Sequence, residues 1–245
     1  NGYIDELRIT KGIARYTANF APPTQQLPAP SDPYGENVSL LLHMDGTDGS
    51  TDFTDSSRNN LTLTAFGGAQ IDTSIKKFGS GAAYFDGNGD YLLQNNPSTN
   101  IIDWYSTDYT LECWIYLQTF PTNTLNGINS PLIGNSSPDT TIEYWSFGPV
   151  NDGRVVFYYF SGNQNRIITT TTLNIQEWYH LAFVKNGSSL KIYINGIESA
   201  SQTLSVSPQS STGTPFNIGR VSAGGFHGYI DELRVTKGVA RYTSN

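Results

Sequence analysis

The sequence predicts an all-β fold of the sandwich type, and three observations carry that prediction. From Val38 onward, short apolar runs alternate with Gly, Asn, Asp and Ser punctuation, the rhythm of strands and turns. Gly, Thr, Ser, Asn and Tyr are abundant while charged residues make up only 14%, which suits a turn-rich β protein and leaves no room for long helices. Two Asn-Gly pairs, Asn186-Gly187 and Asn195-Gly196, sit between strand-like runs, where this dipeptide supplies the positive φ of a tight hairpin.

In chain order, the first element is one that recurs at the end. Residues 2–19 read GYIDELRITKGIARYTAN and residues 228–245 read GYIDELRVTKGVARYTSN, differing only at Ile9/Val235, Ile13/Val239 and Ala18/Ser244. An offset of this size marks a domain-scale repeat, so the chain reads as one full period of a tandem array plus a short overlap. Copying a module at this scale points to reach and avidity more than to catalysis. Residues 21–33, APPTQQLPAPSDP, follow the first copy, and proline at that density favours an extended, semi-rigid spacer. The domain boundary is therefore placed near Tyr34.

Strands are expected at 38–44, 61–66, 82–85, 91–94, 109–117, 131–134, 143–147, 155–160, 166–171, 178–185, 190–194, 216–218 and 229–235. Helix is expected only as a turn near 101–105 and another in the KGVARYT tail. In the strand 190–194 the period of two puts Leu190, Ile192 and Ile194 on one face and Lys191 and Tyr193 on the other, so one face meets a core. The same period in 229–235 groups Tyr229, Asp231, Leu233 and Val235, opposite Ile230, Glu232 and Arg234.

Composition excludes several partners. The net charge is −7 with no Lys/Arg run, so a phosphate backbone or an anionic membrane is repelled and nucleic-acid binding is not expected. No run of about 18 apolar residues is present, so membrane insertion is not expected either. Cys113 is the only cysteine; it lies inside an apolar run, reads as a buried thiol, and cannot form an intrachain disulfide.

Seven stretches in a fixed order carry a resemblance: VSLLLHMDG (38–46), FTDSS (53–57), FGSGAAYFDG (78–87), YTLECWI (109–115), WYHLAFV (178–184), LKIYING (190–196) and the closing GYIDELR. Together they resemble the laminin-G-like, concanavalin A-like lectin/glucanase domain family, over essentially the whole period from Val38. The resemblance implies a jelly-roll sandwich of two antiparallel sheets. The KG(I/V)ARYT tail, followed by NFAPPT, is similar in particular to copies repeated in surface and tail proteins of phages, other viruses and bacteria. Because the closing strand ends the domain in this family, residues 1–20 are expected to be the C-terminal strand and tail of a preceding repeat, 21–33 a Pro-rich linker, and 34–245 the sandwich. An extracellular, cell-surface or virion location follows from the same likeness.

Two kinds of site are expected. Asp231 shares its predicted face with apolar residues, and a buried carboxylate must be paired, hydrogen-bonded or bound to a cation. Many relatives hold a structural calcium, and oxygen-rich loops at 45–55 and 86–90 offer Asp45, Asp55, Asp86 and Asp90 as further Ca2+ ligands. The alternative is that Asp231 accepts backbone N–H bonds and the loop aspartates make turns. For sugar binding, flat rings and hydrogen-bonding side chains are needed, and Trp145, Tyr159, Arg166 and Trp104 are the candidates, against the alternative that large rings in a sandwich belong to its core.

Catalysis is not expected. Glucanases of this sandwich carry paired glutamates around an aspartate on one strand, since retaining hydrolysis needs two close carboxyl groups, whereas the strand 109–117 offers only Glu112. His43, His180 and His227 occur singly, and His180 reads as a hydrogen-bonded structural histidine. The expected function is a non-enzymatic lectin-like module for adhesion or glycan recognition, with glycans or a cell-surface polymer and neighbouring copies of the same domain as partners. The alternative is a purely structural repeat of a fibre, tail or filament, assembled head to tail by strand pairing.

Overall fold

The structure, a computed structural model, describes residues 32–94, 107–121, 132–136, 143–205, 216–221 and 224–243. The chain divides into two units, Asn1–Gly35 and Glu36–Asn245, and the described strands belong to the second. In chain order these are β1 (Val38–Leu42), β2 (Thr64–Phe66), β3 (Gln70–Asp72), β4 (Ala82–Asp86), β5 (Tyr91–Gln94), β6 (Tyr109–Leu117), β7 (Ile133–Ser136), β8 (Glu143–Pro149), β9 (Arg154–Phe160), β10 (Gln164–Thr172), β11 (Trp178–Asn186), β12 (Ser189–Ile194), β13 (Ile197–Thr203), β14 (Phe216–Ile218), β15 (Arg220–Val221), β16 (Gly224–Gly225) and β17 (His227–Lys237). Among the described residues no helix is long and apolar enough to cross a membrane.

Two antiparallel sheets make the sandwich. One runs β13-β12-β11-β6-β17-β4-β3, with β1 also paired to β17, and the other runs β10-β9-β8-β7-β14-β5-β2. Alternation along the strands fills the space between them. On β6, Tyr109, Leu111, Cys113, Ile115 and Leu117 enter the core, while Thr110, Glu112, Trp114 and Tyr116 take the outer face. Phe183 of β11 meets Phe157 of β9 across the gap, rings stacked with centroids 3.9 Å apart, and Phe147 of β8 joins them at 6.1 Å. Burying one such ring contributes about 1.5–3 kcal/mol, so this aromatic contact is a main tie between the sheets. As expected, Leu190, Ile192 and Ile194 of β12 face that core. Tyr193 instead packs on the outer face with Ala182, Val184, Ala240 and Tyr242.

The hairpins differ from each other in detail. Asn195 and Gly196 both take positive φ, 51° and 79°, as a two-residue turn between β12 and β13 requires. Between β11 and β12 the pairing continues through Asn186↔Ser189, so the turn is Gly187-Ser188, with Gly187 alone supplying the positive φ of 56°.

The closing strand β17 organises the larger sheet. It pairs with β6 on one side, and on the other with β4 at His227 to Ile230 and with β1 at Leu233 to Thr236. Its register slips between Asp231↔Trp114 and Arg234↔Glu112, where β17 advances one residue more than β6, and Glu232 takes φ 49°. This bulge corrects the expected faces. Ile230, Leu233 and Val235 lie in the core, while Asp231, before the bulge, stands beside Trp114 on the outer face and does not share a side with Leu233.

Two further expectations are corrected. The tail at 238–243 contains no helical turn; it crosses back over the outer face in an irregular path, with the Gly238 amide on the Asp108 carbonyl (2.7 Å) and the Thr110 hydroxyl on the Val239 carbonyl (3.0 Å). β3 and β13 were not expected as strands: β3 has three residues, and β13 is a polar sequence on a sheet edge, without an apolar alternation to mark it. The turn expected at 101–105 lies outside the described residues.

Candidate functional site

A cleft of about 670 Å³ opens on the outer face of the larger sheet. Its floor is a buried charge cluster. Glu112, with a side chain only 4% exposed, receives Arg234 Nε (2.9 Å) and Nη2 (2.8 Å) on Oε1, and His180 Nε2 (3.1 Å) and the Tyr242 hydroxyl (2.6 Å) on Oε2. Strand register brings these together: Arg234 faces Glu112 from β17, and His180 lies on the opposite neighbour, β11. Burial would raise the Glu112 carboxyl, but the His180 hydrogen bond, the Arg234 charge and the Tyr242 hydroxyl outweigh it and hold it below the ordinary carboxylate range. The carboxylate can only accept, so His180 Nε2 donates. Burial first, and then the adjacent Glu112 anion, push the Tyr242 phenol up to about 12. Tyr242 reaches this floor because Arg241 is pinned beneath it, its amide on Thr110 Oγ1 (2.9 Å) and its Nε on Thr236 Oγ1 (2.6 Å).

The walls are aromatic. Trp114 of β6 packs beside His180 (5.4 Å between centroids) and edge-on to Phe78 (5.7 Å), and the Lys77 ammonium stands 4.1 Å from its ring centre. Trp178 of β11 is another lining residue, braced by Tyr116 at 5.6 Å. Asn195 and Glu232 complete the rim, the latter re-aimed by the bulge and paired to His43 Nδ1 (2.9 and 3.1 Å). Phe78 is 48% exposed.

Asp231 holds this wall in place. Fully buried, it accepts the backbone amides of Lys77 and Phe78 on Oδ2, both at 2.9 Å, and so fixes the loop that carries both side chains over Trp114. Oδ1 has no hydrogen bond of normal geometry among the described residues, although the nearby Glu232 amide favours the anion. Desolvation dominates, and the carboxyl is pushed up to about 6 against the pull of the Phe78 and Lys77 amides.

The other sequence candidates are dispersed. Asp55 accepts the amides of Leu41 (3.0 Å), Ser57 (2.8 Å) and Leu61 (2.8 Å) and the Ser57 hydroxyl (2.8 Å). Asp45 takes the Ser80 amide and hydroxyl, Asp90 takes the amides of Gly68 and Asp86 (the latter at 2.8 Å), and Asp86 takes that of Asn88 (2.6 Å). Each thus binds backbone N–H groups, the alternative reading of the loop aspartates. Asp86 and Asp90 sit together, but among the described residues no three His, Cys, Asp or Glu side chains converge as a metal group.

The sugar candidates are corrected more sharply. Trp145 and Tyr159 are each 1% exposed, in the core between the sheets, Trp145 against Phe157 and Phe216 and Tyr159 against Phe157. A soluble sugar cannot reach them, because the alternation on β8 and β9 points them inward. Arg166 is exposed on β10, in the other sheet, away from the cleft. Trp104 lies outside the described residues.

The residues that do line the cleft had only partial signals. Trp114 alternates with Cys113 and Ile115, which marks it as outward-facing once β6 is recognised. The return of Tyr242 and the perch of Lys77 and Phe78 on Asp231 had none, since both depend on long-range contacts.

Two antiparallel sheets with a central closing strand define a jelly-roll sandwich. The chain belongs to the concanavalin A-like lectin/glucanase superfamily, whose laminin-G family model matches residues 86–241. No curated protein matches the chain. Among solved structures, domain 4 of an extracellular GH43 arabinanase from Geobacillus stearothermophilus, in complex with arabinotriose, is similar at 20% identity and TM-score 0.64, covering 84% of this chain and 95% of that one. The binding domain of Paraclostridial Mosquitocidal Protein 1 is similar at 18% identity and TM-score 0.64, over 84% of this chain and 50% of that one. The binding domain of botulinum neurotoxin DC, in complex with SialylT, is similar at 14% and 0.57, over 83% and 48%. The chain therefore spans about half the length of these toxin binding domains.

Proposed function

We propose that the chain is a non-enzymatic, lectin-like module that recognises glycans through the outer-face cleft, within a surface or virion protein built from repeats. The observation that carries this reading is the composition of the cleft: Phe78 and Trp178 offer flat apolar surface, Trp114 carries the Lys77 ammonium over its ring, and Asn195 and Glu232 add polar groups, the pairing of ring faces and hydrogen-bonding groups that a pyranose needs. The complexes of similar folds with arabinotriose and SialylT support a sugar as ligand.

A hydrolytic role is disfavoured by the state of Glu112. A general acid needs a raised pKa and a free proton, whereas Glu112 is held ionised with both oxygens occupied. The doubled closing segment favours a second reading, a purely structural repeat. A glycan array probed with the full chain separates the two: specific hits that are lost on substituting Trp178 support the lectin, and an empty array supports the structural repeat.

A further inference from the structure

Among the described residues, the charged groups lining the cleft are paired, with one exception. On the floor both oxygens of Glu112 are occupied, Oε1 by two nitrogens of Arg234 and Oε2 by His180 and Tyr242. On the rim, both oxygens of Glu232 face His43 Nδ1, at 2.9 and 3.1 Å. The exception is Lys77. Its ammonium lies 4.1 Å from the centre of the Trp114 ring and 5.8 Å from that of Phe78, and among the described residues it has no carboxylate partner.

That cation is held at both ends of its side chain. Asp231 accepts the Lys77 and Phe78 amides, both at 2.9 Å, and so ties the loop backbone to β17. Asp231 meets the Lys77 amide and makes no ion pair with the ammonium among the described residues. At the far end the ammonium rests on Trp114, whose ring attracts it without neutralising it. A lysine ordinarily forfeits side-chain entropy when it pairs with a ligand; here the ring and the anchored backbone have already restricted the stem, so an incoming group meets a pre-placed charge.

An ammonium carries three donors, and a ring face cannot satisfy them all. A sugar hydroxyl could accept one, but a carboxylate or sulfate oxygen forms a charge-assisted bond about twice as strong. The net charge of −7 opposes anions at long range, yet that repulsion is screened beyond about 8 Å at physiological salt, whereas pairing at Lys77 is a contact. Arg234 is not available for the same task, because it is committed to Glu112 on the floor.

We propose that the cleft selects acidic glycans, with the Lys77 ammonium pairing to a carboxylate or sulfate of the sugar while the neighbouring rings take its apolar face. This rests on the glycan reading of the cleft and narrows it to a ligand class. Lys77 is the residue that sets that specificity.

The test uses the full chain and an array of matched pairs: uronate oligosaccharides beside their methyl esters, sialylated ones beside their asialo forms, and sulfated ones beside their desulfated forms. The charged member of at least one pair is expected to bind about tenfold or more tightly than its neutral partner, the worth of a hydrogen bond to a charged group. Which pairs respond tells carboxylate from sulfate. Lys77→Met keeps an apolar stem against Trp114 and removes the charge, so it should erase the preference by weakening the charged member alone; Lys77→Arg should restore it. Melting temperatures of both variants separate this role from a merely structural one. A preference that survives Lys77→Met overturns the proposal, as does a chain that binds charged and neutral members alike. If Lys77→Met lowers the melting temperature and leaves the preference intact, Lys77 is a cation–π tie and nothing more. An array empty in every pair instead overturns the glycan reading itself, so the two failures are told apart.

Discussion

Arg234 sets two nitrogens, Nε at 2.9 Å and Nη2 at 2.8 Å, on the same oxygen of Glu112, across the pairing of β17 with β6. The first prediction follows from the burial of that carboxylate. Removing one partner of a buried ion pair costs about 3 kcal/mol when the remaining charge is left alone, and Glu112 keeps His180, Tyr242 and the more distant Arg241 (3.9 Å), so Arg234→Ala is expected to lower the urea unfolding free energy by about 1–3 kcal/mol at pH 7. Equilibrium urea denaturation measures it; a loss below about 1 kcal/mol, the worth of an exposed pair, would contradict the account.

Asp231 predicts a pH dependence of stability. Its folded-state value of about 6 lies above the unfolded value of about 3.9, so between those values the folded chain binds more protons than the unfolded one. Its contribution to stability therefore falls as pH rises from roughly 4 to 6, and is constant above that window. Asp231→Asn removes this dependence while keeping an oxygen for the Lys77 and Phe78 amides. Thermal melts at a series of pH values should show the variant gaining on the parent between pH 4 and 7, and a constant gap would contradict the assignment.

Asp55 is expected to be a structural tie whose loss no metal can mimic. Its carboxylate accepts four hydrogen bonds that hold the loop after β1, and stranding buried donors costs about 1–3 kcal/mol for each group left unpaired. Asp55→Ala is predicted to destabilise by about 3 kcal/mol or more, with the same loss in EDTA as in calcium. A loss that appears only in calcium would instead make Asp55 a metal ligand.

Cys113 is fully buried on β6, and burial, aided by the neighbouring Glu112 charge, pushes its thiol far above the usual range. It should resist a thiol reagent such as DTNB in the folded chain and react once the chain is denatured. Prompt labelling of the native protein would contradict the packing of β6 described above.

The sequence made the strand framework readable wherever alternation was uninterrupted. In 109–117 the residues Leu111, Cys113 and Ile115 mark one face and Trp114 the other, and the strand forms over just that span. GYIDELRV reads as equally regular, yet its bulge at Glu232 reverses the phase, because an extra residue with φ 49° is invisible in a pattern of side chains. Aromatic content misled in the same way: Trp145 and Trp114 are alike as residue types, and only the direction of their strands makes one core and the other cleft. The Lys77–Phe78 perch was out of reach because it hangs on Asp231, more than 150 positions away along the chain.

The central claim is that the outer-face cleft binds a glycan, and titration calorimetry with the strongest array hit, on the full chain and on Trp178→Ala, tests it most directly. Trp178 lines the cleft and is braced by Tyr116, so it can be removed without opening the core. Losing an anchoring aromatic of a binding site costs about 2 kcal/mol, which is roughly a 30-fold weaker Kd. The account predicts that weakening at an unchanged melting temperature. Undiminished affinity in the folded variant would contradict it.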